Sequence, residues 1–146
     1  MNDPQSIARF IDHTLLKPQA TFDDVRALCE EAVRWGFSTV CVSPFYVETC
    51  SEILNGTSVK VCTVVGFPSG NHRLETKVQE AELLAEKGAS ELDIVIALGA
   101  LKSGDDDAVR REIEAVRSVI PGRVLKVIIE TGLLTEEEKV RACRLV

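Results

Sequence analysis

Apolar residues recur along the chain in two alternating rhythms. Between Thr21 and Gly36 they fall at helical spacing, with Val25, Leu28, Cys29, Ala32 and Val33 on one side. Thr21-Phe22-Asp23-Asp24 supplies a cap and first-turn carboxylates, and Gly36 is the stop signal. Between Val59 and Val65 the rhythm changes to a compact β-branched run, the mark of a strand. The same change repeats down the chain. Strands are predicted at 11–14, 37–42, 59–65, 91–96 and 124–130. Helices are predicted at about 5–10, 21–35, 44–55, 73–87 and 105–120, and from Thr135 to the last residue. Ser43-Pro44 opens the third helix with Ser as cap and Pro at the first helical position. Residues 99–104 read as a turn, and Asp105, Asp106 and Asp107 suit the positive end of the helix that follows.

Alternating strands and helices imply a parallel sheet covered by helices. A doubly wound five-stranded sheet and a (β/α)8 barrel both fit that alternation. Strand parity separates them. Leu92, Ile94 and Ile96 share one face of the fourth strand and Asp93 lies on the other. Leu125, Val127 and Ile129 oppose Lys126, Ile128 and Glu130 in the fifth. Val40 and Val42 oppose Thr39 and Cys41 in the second, and Asp12 shares a face with Thr14 in the first. A doubly wound sheet wants both faces apolar. One polar face per strand suits a barrel, whose axis lets such groups meet each other and a substrate.

The 146 residues carry 17 Lys+Arg and 23 Asp+Glu, a net charge of −6, and 45% are hydrophobic. Wholesale disorder is excluded, and an acidic chain without a basic stripe is not a nucleic-acid binder. Length alone suggests one domain over 1–146. No apolar run reaches membrane-span length, and Met1–Pro4 does not open a signal peptide, so no membrane partner and a cytoplasmic location are expected. Cys29, Cys41, Cys50, Cys62 and Cys143 match no zinc spacing and read as reduced, small apolar fillers. Neither a metal nor a cofactor is expected.

Asp93 and Lys126 lie on sequential strands with matching parity. They are either an ion pair that holds register or a reactive pair. A lysine in a low-dielectric site can form an imine with a carbonyl, and a neighbouring carboxylate can move the protons. Lys126 is then a nucleophile, or it tunes a second lysine that fills that role. Gly66–Gly70 fits no phosphate-binding motif and reads as a strand-to-helix turn. His13 is turned toward the helices by parity and reads as structural. His72, Lys17 and Lys102 read as solvated.

Four motifs resemble those of deoxyribose-phosphate aldolases. They are Ile11-Asp12-His13-Thr14-Leu15-Leu16-Lys17-Pro18, Val61–Gly70, Glu91–Ile96 with Gly99–Asp105, and Leu125-Lys126-Val127-Ile128-Ile129-Glu130-Thr131-Gly132. The resemblance implies a (β/α)8 barrel truncated to about its first five βα units. It also implies a cofactor-free class I aldolase that reversibly cleaves 2-deoxy-D-ribose 5-phosphate to acetaldehyde and glyceraldehyde 3-phosphate. Asp93 corresponds to the proton-relay carboxylate and Lys126 to an active-site lysine. Asp12, Thr14 and Cys41 correspond to substrate-pocket positions. The family's imine lysine belongs to a sixth-strand Lys-Thr-Ser motif, a triplet not found in these 146 residues. By the resemblance the chain is expected to lack the imine nucleophile and the phosphate site. It would then act on a small phosphorylated sugar only with a complementing chain, or serve as a non-catalytic association module, with a homo-oligomer as the other expected assembly.

Overall fold

In the computed structural model, which describes residues 7–146, strands and helices alternate as the rhythms predict. The strands are β1 (Asp12–Leu15), β2 (Thr39–Val42), β3 (Lys60–Val65), β4 (Glu91–Val95) and β5 (Val124–Ile128). The helices are α1 (Phe22–Trp35), α2 (Val47–Ile53), α3 (Leu74–Glu86), α4 (Leu98–Lys102), α5 (Asp106–Val119) and α6 (Glu136–Leu145). Gln5 and Ser6 of the expected first helix lie outside the described residues. Ile7 and Ala8 are helical, and the turn closes with the Phe10 N–H on the Ile7 carbonyl. The chain forms two compact units. One holds the residues up to Val64 with Leu84–Glu91, the other Val65–Leu83 with Leu92–Val146.

In the first unit β1, β2 and β3 pair in parallel, with Asp12 opposite Thr39, and Thr14, Cys41 and Cys62 in register. Helix α1 begins with the predicted capping box. The Asp24 N–H donates to Thr21 Oγ1 at 3.2 Å, and the Thr21 N–H donates to Asp24 Oδ2 at 2.8 Å. Gly36 ends the helix at φ +70°, where a Cβ would be strained. The face carrying Val25, Cys29 and Ala32 is fully buried. The expected helix over 44–55 is shorter, because Pro44–Tyr46 form a 3-10 turn before α2. Ser43 makes no side-chain cap there. Instead Tyr46 meets Phe22 and Phe45 edge-on, the two phenyl rings are tilted against each other, and the Tyr46 hydroxyl donates to the Ala20 carbonyl.

All five cysteines are free, and Cys29, Cys41, Cys50 and Cys62 fill the core as expected, whereas Cys143 is exposed on α6. Between α1 and α2 the Cys50 thiol donates to Cys29. That bond lowers the Cys29 thiol from its usual range and raises Cys50. His13 is structural: it meets Glu31 of α1 at 2.8 Å and stacks on Phe37 with ring centres 4.5 Å apart.

In the second unit β4 and β5 are hydrogen-bonded neighbours. Leu92 and Ile94 are fully buried on one face of β4. Leu125, Val127 and Ile129 pack on the cluster of Ile96, Leu101, Val109, Ile113, Leu134 and Ala142, so the apolar parity holds. The expected turn at 99–104 is instead helix α4. Leu101 is fully buried and pulls this stretch against the core, and the left-handed glycine there is Gly104 at φ +78° rather than Gly99. Strand β5 stops at Ile128. Glu130 then turns left-handed at φ +54° and a 3-10 turn covers Thr131–Leu133. Asp105 caps α5 by accepting the Ala108 N–H at 3.0 Å, and Thr135 with Glu138 forms a second capping box on α6. Among the described residues no helix is long and apolar enough to cross a membrane.

The two boxes set an acid response. The Thr21 N–H holds the Asp24 carboxyl below its ordinary 3.8, and the Thr135 N–H, aided by Lys102, holds Glu138 below its ordinary 4.5. Both folded values lie below the unfolded ones. Their contribution is therefore complete above the ordinary values and is lost as pH falls through the lowered ones. Far-UV circular dichroism from pH 5 to pH 2 should show α1 and α6 loosening in that window. A titration unaltered by Asp24→Asn and Glu138→Gln together would contradict this assignment.

Candidate active site

The polar faces of β4 and β5 meet as parity requires. Lys126 Nζ lies 3.2 Å from Asp93 Oδ1, with the side chains 35% and 17% exposed. Neither side chain is fully buried. A third of the Lys126 side chain is open to solvent, and the contact is short enough for a proton to pass between carboxylate and amine. Three residues beyond Asp93 and two beyond Lys126, the Ile96 N–H donates to the Ile128 carbonyl at 3.2 Å and ties the two strands together.

In the first unit, Asp12 Oδ1 accepts the Thr39 hydroxyl at 2.6 Å. A carboxylate oxygen of Asp12, the Cys62 sulfur and a carboxylate oxygen of Glu91 lie within 4.8 Å of one another. Two carboxylates and a cysteine sulfur are ligand types that a borderline divalent cation takes, although the Cys62 thiol here donates to the Thr63 carbonyl at 3.9 Å. Cysteine spacing gave no hint of it, since its members come from three strands. Cys41 is buried and packs with Cys62, Val64 and Leu16. Thr14 is exposed, and its hydroxyl donates to the Asp12 carbonyl at 2.8 Å, on its own strand.

A cavity of about 340 Å³ opens at the carboxyl ends of β4 and β5, lined by Pro68, Ser69, Val95, Gly99, Lys102 and Glu130 among others. In βα folds this end of the strands is where ligands bind. The wall from Gly66 to Gly70 is a turn, as expected. The Gly70 N–H donates to the Gly66 carbonyl at 2.8 Å and the Gly66 N–H to Glu80 at 2.9 Å, so neither is aimed at an anion. Lys102 closes α4 rather than lying in a loop. Its ammonium meets the Leu133 carbonyl at 2.9 Å and Glu138 at 3.0 Å.

Behind this wall lies a feature that sequence reasoning missed. Lys77 of α3 is fully buried, and its Nζ lies 2.6 Å from Glu112 Oε1 of α5 and 2.8 Å from the Val95 carbonyl. Glu112 Oε2 in turn accepts the Ala97 N–H at 2.9 Å. A signal existed. Lys77 stands four and seven residues before the buried Ala81 and Leu84, and Glu112 stands among Val109, Ile113 and Val116. Both charges occupy core positions of amphipathic helices.

Residues 7–142 match the family described as DeoC/LacD family aldolase. The chain belongs to this aldolase family. Over 141 residues it is 57% identical to a deoxyribose-phosphate aldolase of Geobacillus sp., a match that covers 96% of the chain and 63% of that relative. A solved structure from Coccidioides immitis assigned to deoxyribose-phosphate aldolase superposes with a TM-score of 0.96 at 42% identity, covering 99% of this chain and 57% of that one. The tetrameric deoxyribose phosphate aldolase of Aeropyrum pernix superposes with a TM-score of 0.86 at 37% identity, covering 98% and 60%. The chain thus spans a little under two thirds of the aldolases it matches. Its five parallel strands with their helices correspond to about that share of an aldolase barrel, which settles the choice against a doubly wound sheet.

Proposed function

We propose that the chain supplies the Asp93–Lys126 part of a class I aldolase site acting on 2-deoxy-D-ribose 5-phosphate. The observation that carries this reading is the part-open contact of 3.2 Å between amine and carboxylate. In such a reaction a lysine amine adds to the C1 aldehyde, and the carbinolamine loses water to give an imine. The C2–C3 bond then breaks as the C3 hydroxyl gives up its proton, releasing glyceraldehyde 3-phosphate. The enamine left behind takes a proton at C2 and is hydrolysed to acetaldehyde. Asp93 carries protons in these steps. Lys126, 3.2 Å from Asp93, tunes the imine lysine, which in the family belongs to the Lys-Thr-Ser motif. Asp12, Thr14 and Cys41 take the substrate-contact roles that the family resemblance gives them. A reducing, cytoplasmic setting suits five free thiols.

A second reading is an association module, or a subunit of a homo-oligomer. Among the described strands β5 pairs only with β4, which leaves one edge open. Beside it lies a cavity of about 320 Å³, lined by Ile113, Leu125, Val127 and Leu145 together with the charged Arg110, Glu114 and Arg117.

A fusion tests the first reading and the unfused chain the second. The chain is joined in frame to the remaining third of the Geobacillus relative and assayed for acetaldehyde release from 2-deoxy-D-ribose 5-phosphate. Release that is lost in Asp93→Asn is expected. The unfused chain should give no turnover and no borohydride-trapped adduct on Lys126, and should elute as an assembly on size exclusion. A soluble fusion that releases nothing would sink the aldolase reading. A clean monomer would sink the association reading.

A further inference from the structure

We infer that Lys77 and Glu112 are positioning residues for the Asp93–Lys126 pair: their buried ion pair pins the end of β4 and so sets where the carboxylate meets the amine. The inference rests on the aldolase reading of that pair.

The pin has two points of attachment, one on each side of Ile96. Lys77 Nζ donates to the Val95 carbonyl at 2.8 Å, and Glu112 Oε2 accepts the Ala97 N–H at 2.9 Å. Between them, the Ile96 N–H reaches the Ile128 carbonyl at 3.2 Å. Val95 stands two residues beyond Asp93, and Ile128 two beyond Lys126. The clamp therefore holds the two strands in register one step above the reactive contact. Val95 and Ile96 also line the cavity at the strand ends, so the same clamp fixes its wall.

The third strand's loop is drawn in as well. A Cβ on Gly66 would lie 2.7 Å from Lys77 Cε, so the buried lysine stem occupies the space under that turn. Glu80, one turn further along α3, holds the Gly66 N–H at 2.9 Å.

A fully buried pair is weak evidence for stability, since apolar residues of similar volume do as well or better. Such a replacement cannot, however, supply the donor that Val95 needs or the acceptor that Ala97 needs. This difference separates a positioning role from a merely structural one.

The test uses the whole chain with ¹³Cε-labelled lysine. The Lys126 signal is assigned by its loss in Lys126→Arg, and its shift on Asp93→Asn measures the contact. In the Lys77→Met/Glu112→Leu double variant, the unfolding transition should be kept while that shift falls at least about twofold, because two contacts that share an element are coupled. A folded double variant with the shift intact overturns the inference.

Should the double variant not fold, the unaltered chain decides by hydrogen exchange at Ala97. An amide held by Glu112 exchanges as slowly as its β4 neighbours. Exchange at the rate of an open loop overturns the inference. The aldolase reading fails separately, through a fusion that releases no acetaldehyde while the Lys126 shift behaves as stated.

Discussion

Lys77→Met alone should cost the fold about 3–5 kcal/mol, the usual result of leaving one member of a buried ion pair without its partner. Lys77 is fully buried and Glu112 5% exposed, so neither water nor another side chain can take over the lost contact of 2.6 Å. The Val95 carbonyl loses its donor in the same step. Chemical denaturation reads the effect as a fall in midpoint at unchanged slope. Lys87→Met is the control. Lys87 meets Glu48 at 2.8 Å, a similar distance, but the side chains are 45% and 61% exposed, and water replaces the partner. Its midpoint should not move measurably. A Lys77→Met protein that unfolds with the wild type would show that the buried pair is not formed.

Gly70→Ala should be at least as damaging. A Cβ at this position would lie 2.0 Å from the Ile96 carbonyl oxygen, a backbone atom at the end of β4 that cannot swing aside as a side chain would. Gly70 also has φ +69°, a left-handed conformation that costs an alanine roughly 1–2 kcal/mol even in open space. The collision adds to this, and a total of about 3 kcal/mol or more is expected. The fusion carrying Gly70→Ala should lose aldolase turnover too, because Pro68 and Ser69 move with the turn that walls the cavity. Gly99→Ala is the counterpart. It lies in α4 with nothing within 4 Å of the added Cβ, so about 0.4–1 kcal/mol of stabilisation is expected. Equal midpoints for the two alanine variants would contradict the packing of the third turn on β4.

The alternation of strands and helices was legible because it depends on local signals. The boxes at Thr21 and Thr135, the stop at Gly36 and the β-branched run of β3 each act within a few residues. Parity was legible for the same reason, and it brought Asp93 to Lys126 before any contact was known. What escaped was decided at a distance. Gly99 looked like a turn residue, yet Leu101 is drawn into a core built from α5, α6 and the outer face of β5. Lys77 and Glu112 went unread, because charge alone does not say which face of a helix is covered. Asp12, Cys62 and Glu91 come from three strands, so no spacing along the chain announces their approach.

The capping devices also bear on the order of folding. Thr21 with Asp24, Asp105 with Ala108 and Thr135 with Glu138 each close a helix start within four residues of chain. A helix nucleus is the costly step, and these caps lower its cost with residues of their own segment. Such starts are available as soon as their own residues leave the ribosome. The parallel strands must wait for a whole intervening helix before they can pair, and contacts of that kind form late. The three capped helix starts therefore draw on contacts within their own segments, whereas the sheet draws on pairings between segments far apart in the chain.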